Sequence, residues 1–445
     1  MNPNTTLLKS SLSPKSQPSL MKSNKPVDES KLVFRFAIVS RLLILTLIIT
    51  WRSLLTPYDT SATLNPNCLS SNPNNTTTEA HDSVLWPSIG SAIESSIVWD
   101  GVYFVRIAQC GYEYEQSYAF LPLLPMLIYA FSRTVCAPLV PIIGYRAVLG
   151  LSGYAINNIA FVFAAVYFYR LSLLILKDRS AALRASTLFC FNPASIFYSS
   201  VYTESLYSLF SLGGLYHLIS GGNTVATLFL ALSGSARSNG VLNAGYFCFQ
   251  AMHQAYDAIV YKKRFGLAVQ SLAAAAVRLL CIFAPFVAFQ VYGYHNICLR
   301  RISDETRPWC KAGLPLLYNY LQSHYWYAHS YINLYPFLII SLGVGFLRYF
   351  HLKQLPNFLL ASPILSLAFF SILSYAKSQP EFVFSLGFWS PGEEKDLSAV
   401  FYSLGESRSS TTVHIPDIYS RTVRGISLKH RLPYDFPLIY LLKKP

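Results

Sequence analysis

The sequence predicts an all-α fold, a polytopic bundle of membrane-spanning helices. Three observations carry this. Of the 445 residues, 53% are hydrophobic and 13% charged, with mean hydropathy +0.36. A soluble domain of such length carries about 25% charge, so the deficit excludes a cytosolic globular enzyme and a disordered chain. Apolar runs recur at lengths near the ~20 residues that cross a bilayer. Aromatic residues reach 15%, with 31 Tyr and 30 Phe, which suits extensive membrane–water interfaces. The net charge of +14 does not point to nucleic acid. The Lys and Arg residues sit mostly at the edges of apolar runs, where chain orientation and lipid headgroups account for them.

Residues 1–31 are rich in Ser, Pro and Asn, carry five lysines and lack the apolar core of a signal peptide, so they read as a disordered cytosolic tail. Residues 32–51 form the first transmembrane helix, with Arg35 and Arg41 placed to snorkel toward the lysine-bearing side. Residues 52–118 read as a lumenal loop. From Ser53 to Val105 it contains no Lys or Arg, yet holds Asp59, Glu79, Asp82, Glu94 and Asp100. Two overlapping sequons there make Asn74 and Asn75 candidate glycosylation sites.

Residues 119–291 form the main transmembrane bundle, with apolar runs near 119–140, 147–176, 181–201, 203–220, 224–249 and 266–291. Prolines 122, 125, 138, 141, 193 and 285 predict broken or short helices within it. Simple alternation makes the basic stretch Arg170–Arg184 lumenal. Splitting one run, with a polar break at 233–240, instead makes that stretch and Lys262-Lys263-Arg264 cytosolic and Glu204 and Arg237 lumenal. The second arrangement is preferred. Residues 292–332 form another lumenal loop, 333–375 the C-terminal transmembrane segments and 376–445 a polar tail. Cys68, Cys110, Cys298 and Cys310 fall in lumenal segments where disulfides are permitted; three pairings remain open. No zinc pattern or phosphate-binding glycine loop occurs.

Three stretches could carry chemistry. In Trp99-Asp100-Gly101-Val102-Tyr103-Phe104, running on through Arg106 to Gly111-Tyr112-Glu113-Tyr114-Glu115, Asp100 precedes apolar residues at near-helical spacing. It reads as the N-cap of an interfacial helix and as a carboxylate held beside an aromatic wall, as a base acting on a sugar hydroxyl requires; the two are compatible, since a capping position also fixes the carboxylate. Glu113 and Glu115 share one face of an extended strand and, taken alone, read as solvated. In Asn192-Pro193 through Tyr202-Thr203-Glu204, Glu204 lies between apolar runs, where a charge marks either function or a wetted interface. In Arg237-Ser238-Asn239-Gly240, an arginine flanked by small residues suits a phosphate or pairs structurally with a carboxylate such as Glu204. His324 and His329, in an aromatic-rich loop, are uninformative.

Taken together, these stretches resemble the GPI mannosyltransferase 2 family of the PIG-V type. The matching pieces are Trp99-Asp100 through Ala119-Phe120-Leu121-Pro122 with Pro125, Asn192-Pro193 through Glu204, Arg237-Ser238-Asn239-Gly240, and Lys353-Gln354-Leu355-Pro356-Asn357-Phe358. The resemblance covers roughly residues 32–376. It implies a multi-helix GT-C-like fold in the endoplasmic reticulum membrane and transfer of the second, α1,6-linked mannose from dolichol-phosphate-mannose to a GPI precursor. It implies no cofactor beyond that lipid-linked co-substrate, no metal, and partners limited to the two lipids, the membrane and a small accessory membrane subunit.

Asp100 becomes the catalytic base. Trp99, Arg106, Tyr112, Glu113, Glu115, Glu204, Arg237 and Asn239 become substrate-binding, with Arg237 or Arg106 facing the departing phosphate. Two departures from the family pattern stand out: residues 327–342 resemble an insertion, and the chain after Ser378 is atypically polar. The rival readings are a multi-span transporter coupled through Glu204 and Arg237, and an inactive assembly partner.

Overall fold

The computed structural model describes residues 29–54, 68–69, 84–192, 194–299, 307–313, 315–318, 320–321, 355–378 and 380–388. All belong to the first of two structural units, Met1–Tyr402. The sequons at Asn74 and Asn75, His324 and His329, the stretch 327–342, the apolar run 333–350 and the tail beyond 388 lie outside the described residues.

Every long element among the described residues is helical, as the fold class requires. Among the described residues, four helices are long and apolar enough to cross a membrane: Glu29–Arg52, Tyr145–Leu176, Phe265–Leu299 and Phe358–Ser378. A further apolar pair, Leu123–Arg133 and Ala137–Ile143, is bent by 68°, with Pro138 and Pro141 in its second half. The protein is a multi-pass membrane protein.

Helix α1 (Glu29–Leu54) starts earlier than expected, taking in residues assigned to the tail. The expected loop 52–118 is partly helical, with α2 (Pro87–Ser96) and α3 (Asp100–Cys110) inside it. Helices α4 (Leu123–Arg133) and α5 (Val140–Ile143) belong to the bent pair, and α6 (Tyr145–Leu176) has 32 residues. The run at 181–201 divides into α7 (Arg179–Cys190) and the single turn α8 (Ser195–Ser199). Then follow α9 (Glu204–Ile219), α10 (Asn223–Ala236), α11 (Ala244–Val260), α12 (Phe265–Tyr294), α13 (Leu355–Ser378) and α14 (Pro380–Phe384).

In lipid the apolar solvent gives helices no hydrophobic reason to associate, so close backbone approach matters more. The sequence supplies it with glycine. A Cβ at Gly213 or Gly214 of α9 would run into Phe229 or Leu230 of α10, and one at Gly153 of α6 would meet Val201. Between α10 and α11 the chain breaks at Ser238–Asn243, a 3-10 turn, where the polar break was expected.

The helix ends fall into two groups. The Tyr169 hydroxyl near the end of α6 donates to Glu29 at the start of α1 (2.6 Å). Tyr167 meets His217 near the end of α9 (3.4 Å). Arg170–Arg184 therefore shares the Glu29 end. Gln254 and Ser271 (2.8 Å) close the α11–α12 hairpin around Lys262-Lys263-Arg264. At the other end Gln290 of α12 accepts from the Tyr318 N–H, and the Tyr318 hydroxyl meets Ser238 (2.8 Å).

Helices α9 and α10 have 16 and 14 residues, about 24 and 21 Å at 1.5 Å per residue. That is short of the ~30 Å hydrocarbon core, so the Glu204 and Arg237 ends are set inward from the end of α6.

Candidate active site

The chain enters α3 through a tight turn in which the Gly101 N–H donates to the Val98 carbonyl (3.1 Å). Trp99, at the second position of this turn, is held at φ 56, ψ −133. That backbone conformation suits glycine and strains a bulky residue. Trp99 is also the N-cap of α3, and it supplies no side-chain cap bond. Asp100 is the first helical residue rather than the cap, which corrects the N-cap expectation. The carboxylate is therefore not spent on capping, although it still benefits from the positive end of the helix. Trp99→Gly is expected to raise thermal stability by about 1 kcal/mol: strain of roughly 1–3 kcal/mol is relieved against about 0.5–1 kcal/mol of added unfolded-state freedom. Transfer should fall in the same variant, because the indole, 61% exposed beside Asp100, is lost. Thermal melts in detergent and a transfer assay check the two together.

Asp100 is half-buried and lies within electrostatic reach of Glu204, at the start of α9, and of Arg237, just beyond α10. Burial, the larger cause, and then the Glu204 charge push its carboxyl above the ordinary range, against the opposing pull of Arg237. Arg237 forms an ion pair through Nη1 with Glu204 Oε1. The Arg237 side chain stays 37% exposed, so its fork is open on one side. Glu204 Oε2 is buried with no hydrogen-bond partner among the described residues, an acceptor position of the kind a substrate hydroxyl satisfies.

Tyr202, not singled out from sequence, completes the group. Its oxygen faces the Asp100 backbone N–H, and its phenol is pushed up to about 12, first by burial and then by the Asp100 charge. Its place two residues before Glu204 in Tyr202-Thr203-Glu204 was the available signal.

The turn carrying Arg237 is locked. The Gly240 N–H donates to the Arg237 carbonyl (2.9 Å), and Asn243 Nδ2 donates to the hydroxyls of Ser211 (3.1 Å) and Ser233 (3.0 Å). A Cβ at Gly240 would land on the Ser233 backbone. Gly240→Ala is expected to cost about 1–3 kcal/mol as an overpacked site, measured as a lower melting temperature and lower abundance. Asn239, expected to bind substrate, lies exposed on this turn beside a cavity of about 710 Å³ lined by Tyr207, Leu242, Asn243, Tyr246 and Phe249.

Arg106, Tyr112, Glu113 and Glu115 gather separately. Arg106 holds Glu113 through two bonds (3.1 and 2.7 Å), and Glu113 also accepts from the Leu69 N–H. Glu115 accepts from the Trp309 indole (2.8 Å) and pairs with Arg307 (3.6 Å). Both carboxylates are buried, which corrects the reading of them as solvated: opposed cations and N–H donors make burial affordable. Tyr112 donates to the Phe120 carbonyl (2.9 Å) and packs with Tyr118, Phe289 and Tyr292.

Disulfides Cys68–Cys110 and Cys298–Cys310 tie the same region together, choosing one of the three open pairings. Cys68, Cys110 and Glu113 bring ligand-type atoms close. The sulfurs are bonded to each other and Glu113 to Arg106, so no metal donor set remains there.

The family description Mannosyltransferase (PIG-V) matches residues 29–421. Among curated relatives, GPI alpha-1,6-mannosyltransferase 2 of Cricetulus griseus is 29% identical over 309 residues, 65% of this chain and 59% of the relative. The protein of the same name in Homo sapiens is 28% identical, covering 67% of this chain and 61% of the relative. GPI mannosyltransferase 2 of Cryptococcus neoformans is 30% identical over 351 residues, 78% and 72% of the two chains. The chain thus spans about three-fifths of the length of the mammalian relatives it matches. No solved structure matches.

Proposed function

The chain belongs to the PIG-V mannosyltransferase family, and on that premise we propose that it adds the second, α1,6-linked mannose to a GPI precursor in the endoplasmic reticulum membrane. The donor is dolichol-phosphate-mannose, with no further cofactor. The observation that carries this reading is the convergence of Asp100, Glu204 and Arg237 at one end of the bundle, opposite the end that gathers the basic segments. A carboxylate with raised proton affinity beside an exposed indole is suited to take a proton from a sugar hydroxyl. A guanidinium next to it is suited to a phosphate.

In the proposed reaction an acceptor hydroxyl attacks C1 of the mannose from the side opposite the phosphate, and its proton passes to Asp100. The C1–O bond breaks with its electron pair going to the dolichyl phosphate, whose charge Arg237 meets. A β-linked donor thereby gives an α-linked product. Because the leaving group carries one phosphate, a single arginine supplies the charge that nucleotide-sugar chemistry usually takes from a cation.

Expression in cells that lack the second GPI mannose tests the reading. Restored surface GPI-anchored proteins, with conversion of the one-mannose lipid to the two-mannose lipid, are expected. Continued accumulation of the one-mannose lipid in cells that make the folded chain rejects it. Solute uptake by reconstituted protein without mannosyl transfer would support the transporter reading instead.

A further inference from the structure

Arg41 was expected to snorkel from α1 to the membrane surface. Instead it is 3% exposed, at the middle of a membrane-spanning helix, and all of its hydrogen-bond partners are neutral. Nη1 donates to the Ser195 carbonyl (3.1 Å) and the Ser199 hydroxyl (2.9 Å). Nη2 donates to the hydroxyls of Ser195 (3.1 Å) and Ser40 (2.8 Å) and to the Cys190 carbonyl (3.3 Å). Ser40 reaches the same carbonyl (2.6 Å), and the guanidinium lies 3.7 Å from the centroid of Phe161. The cation thus caps the chain at two points, the last carbonyl of α7 and the single turn α8.

From the opposite side α6 completes the clamp. Asn157 Nδ2 donates to the Ser200 carbonyl (2.6 Å), and Asn158 Nδ2 to the Ser199 carbonyl (3.1 Å). Val201 packs where Gly153 leaves room, and the Ser205 hydroxyl closes back on the Tyr198 carbonyl (2.6 Å). The segment held in this way runs directly into Tyr202 and Glu204.

A break in a membrane helix leaves carbonyls that must find partners away from water. Neutral side chains would serve for that. A buried guanidinium is a costly way to fasten helices, since well-packed apolar residues often hold them as firmly. What the planar fork adds is direction, because its donors fix several acceptors of α8 at once.

We propose that Arg41 is a positioning residue of the candidate active site, clamping residues 195–200 so that Tyr202 and Glu204 stay against Asp100. The proposal rests on the transferase reading of that site. The charged and titratable groups facing Asp100 are Glu204, Arg237 and Tyr202. Tyr154 of α6 stands behind Tyr202, while α4 contributes apolar Leu124 and Ile128 to the packing around α3. Letting the segment relax moves Glu204 away from Asp100 and weakens its effect on that carboxyl.

The test is Arg41→Leu and Arg41→Lys in the full chain, purified in detergent, with turnover counted per folded molecule. Turnover is expected to fall by about tenfold to a hundredfold, as small misplacements near a reacting centre cause. The donor KM should stay within about twofold, and the acid limb of kcat/KM should move to lower pH. Backbone hydrogen exchange across 195–205 should rise by about tenfold or more, as for a segment that opens locally.

Turnover per molecule and an acid limb both unchanged from wild type would overturn the proposal. So would failure of both variants to fold, which would make Arg41 a folding residue only. If wild type itself transfers no mannose, the transferase reading falls separately. Exchange then judges the clamp alone, and unchanged exchange overturns it.

Discussion

Replacing Asp100 with Asn is expected to lower mannosyl transfer by about 10²–10⁴-fold, the range that a positioned general base contributes, without lowering the stability of the protein. The two halves of this expectation have one cause. Burial and the Glu204 charge raise the Asp100 carboxyl above its ordinary range, so the folded state favours the protonated form. Its ionisation costs stability as pH rises from the ordinary carboxylate range through the folded value, and the cost is fully present above it. Asn keeps the shape and removes the ionisation, so the variant should melt at or above the wild-type temperature at neutral pH.

The same raised carboxyl sets the wild-type activity profile. Transfer needs the ionised base, so the rate falls as pH drops through the folded value, at higher pH than an unperturbed carboxylate would give. Thermal melts paired with a transfer assay on Asp100→Asn measure both halves. Retained transfer would remove Asp100 from the mechanism. Lost transfer with a lower melting temperature would make it a structural residue.

Much of the architecture was legible because hydrophobic length and charge are strong, local signals. The runs that became α6 and α12, the break near Arg237 and the basic segments at one end all follow from them. Function was half legible. Glu204 and Arg237 stood out because charge in or between apolar segments is expensive, and Asp100 as a carboxylate beside aromatic residues in a loop without Lys or Arg. Glu113 misled although its cation, Arg106, stands only seven residues before it; Glu115 misled because its partners are remote in sequence, Trp309 and Arg307 coming from a loop nearly two hundred residues on. Period-two spacing could not reveal a buried carboxylate whose cost is met by that loop.

Arg41 misled in the same way, its partners Cys190, Ser195 and Ser199 lying about 150 residues on. A cation in the first half of a spanning helix normally reaches for the surface, and only the three-dimensional position of the α7–α8 break supplies a better set of acceptors. Tyr202 stood two residues before Glu204, a signal of place only, since nothing on the nearby chain sets Asp100 beside it.

Glu204→Gln and Arg237→Leu should move the acid limb of activity in opposite directions, and that opposition is the sharpest test of the site. Glu204 raises the proton affinity of Asp100 and Arg237 lowers it. Without the Glu204 charge, Arg237 acts on Asp100 unopposed. The base then stays ionised further into acid, and the limb moves to lower pH. Without Arg237, two neighbouring carboxylates face each other with no cation between them, so Asp100 protonates earlier and the limb moves to higher pH.

Arg237→Leu carries a second penalty at every pH. The departing phosphate loses a preorganised positive charge, a kind of contact whose removal costs about 10²–10³ in turnover. Glu204→Gln leaves that charge in place and should retain much more activity at its new optimum. The double variant separates the effects: with both charges gone the limb should return toward the wild-type position while turnover remains as low as in Arg237→Leu. If the ion pair were only a structural tie, the two single variants would fail alike, through lower abundance of folded protein, and neither would shift the limb. Opposite shifts require both side chains to act on one ionising group, and Asp100 is the carboxylate both of them face.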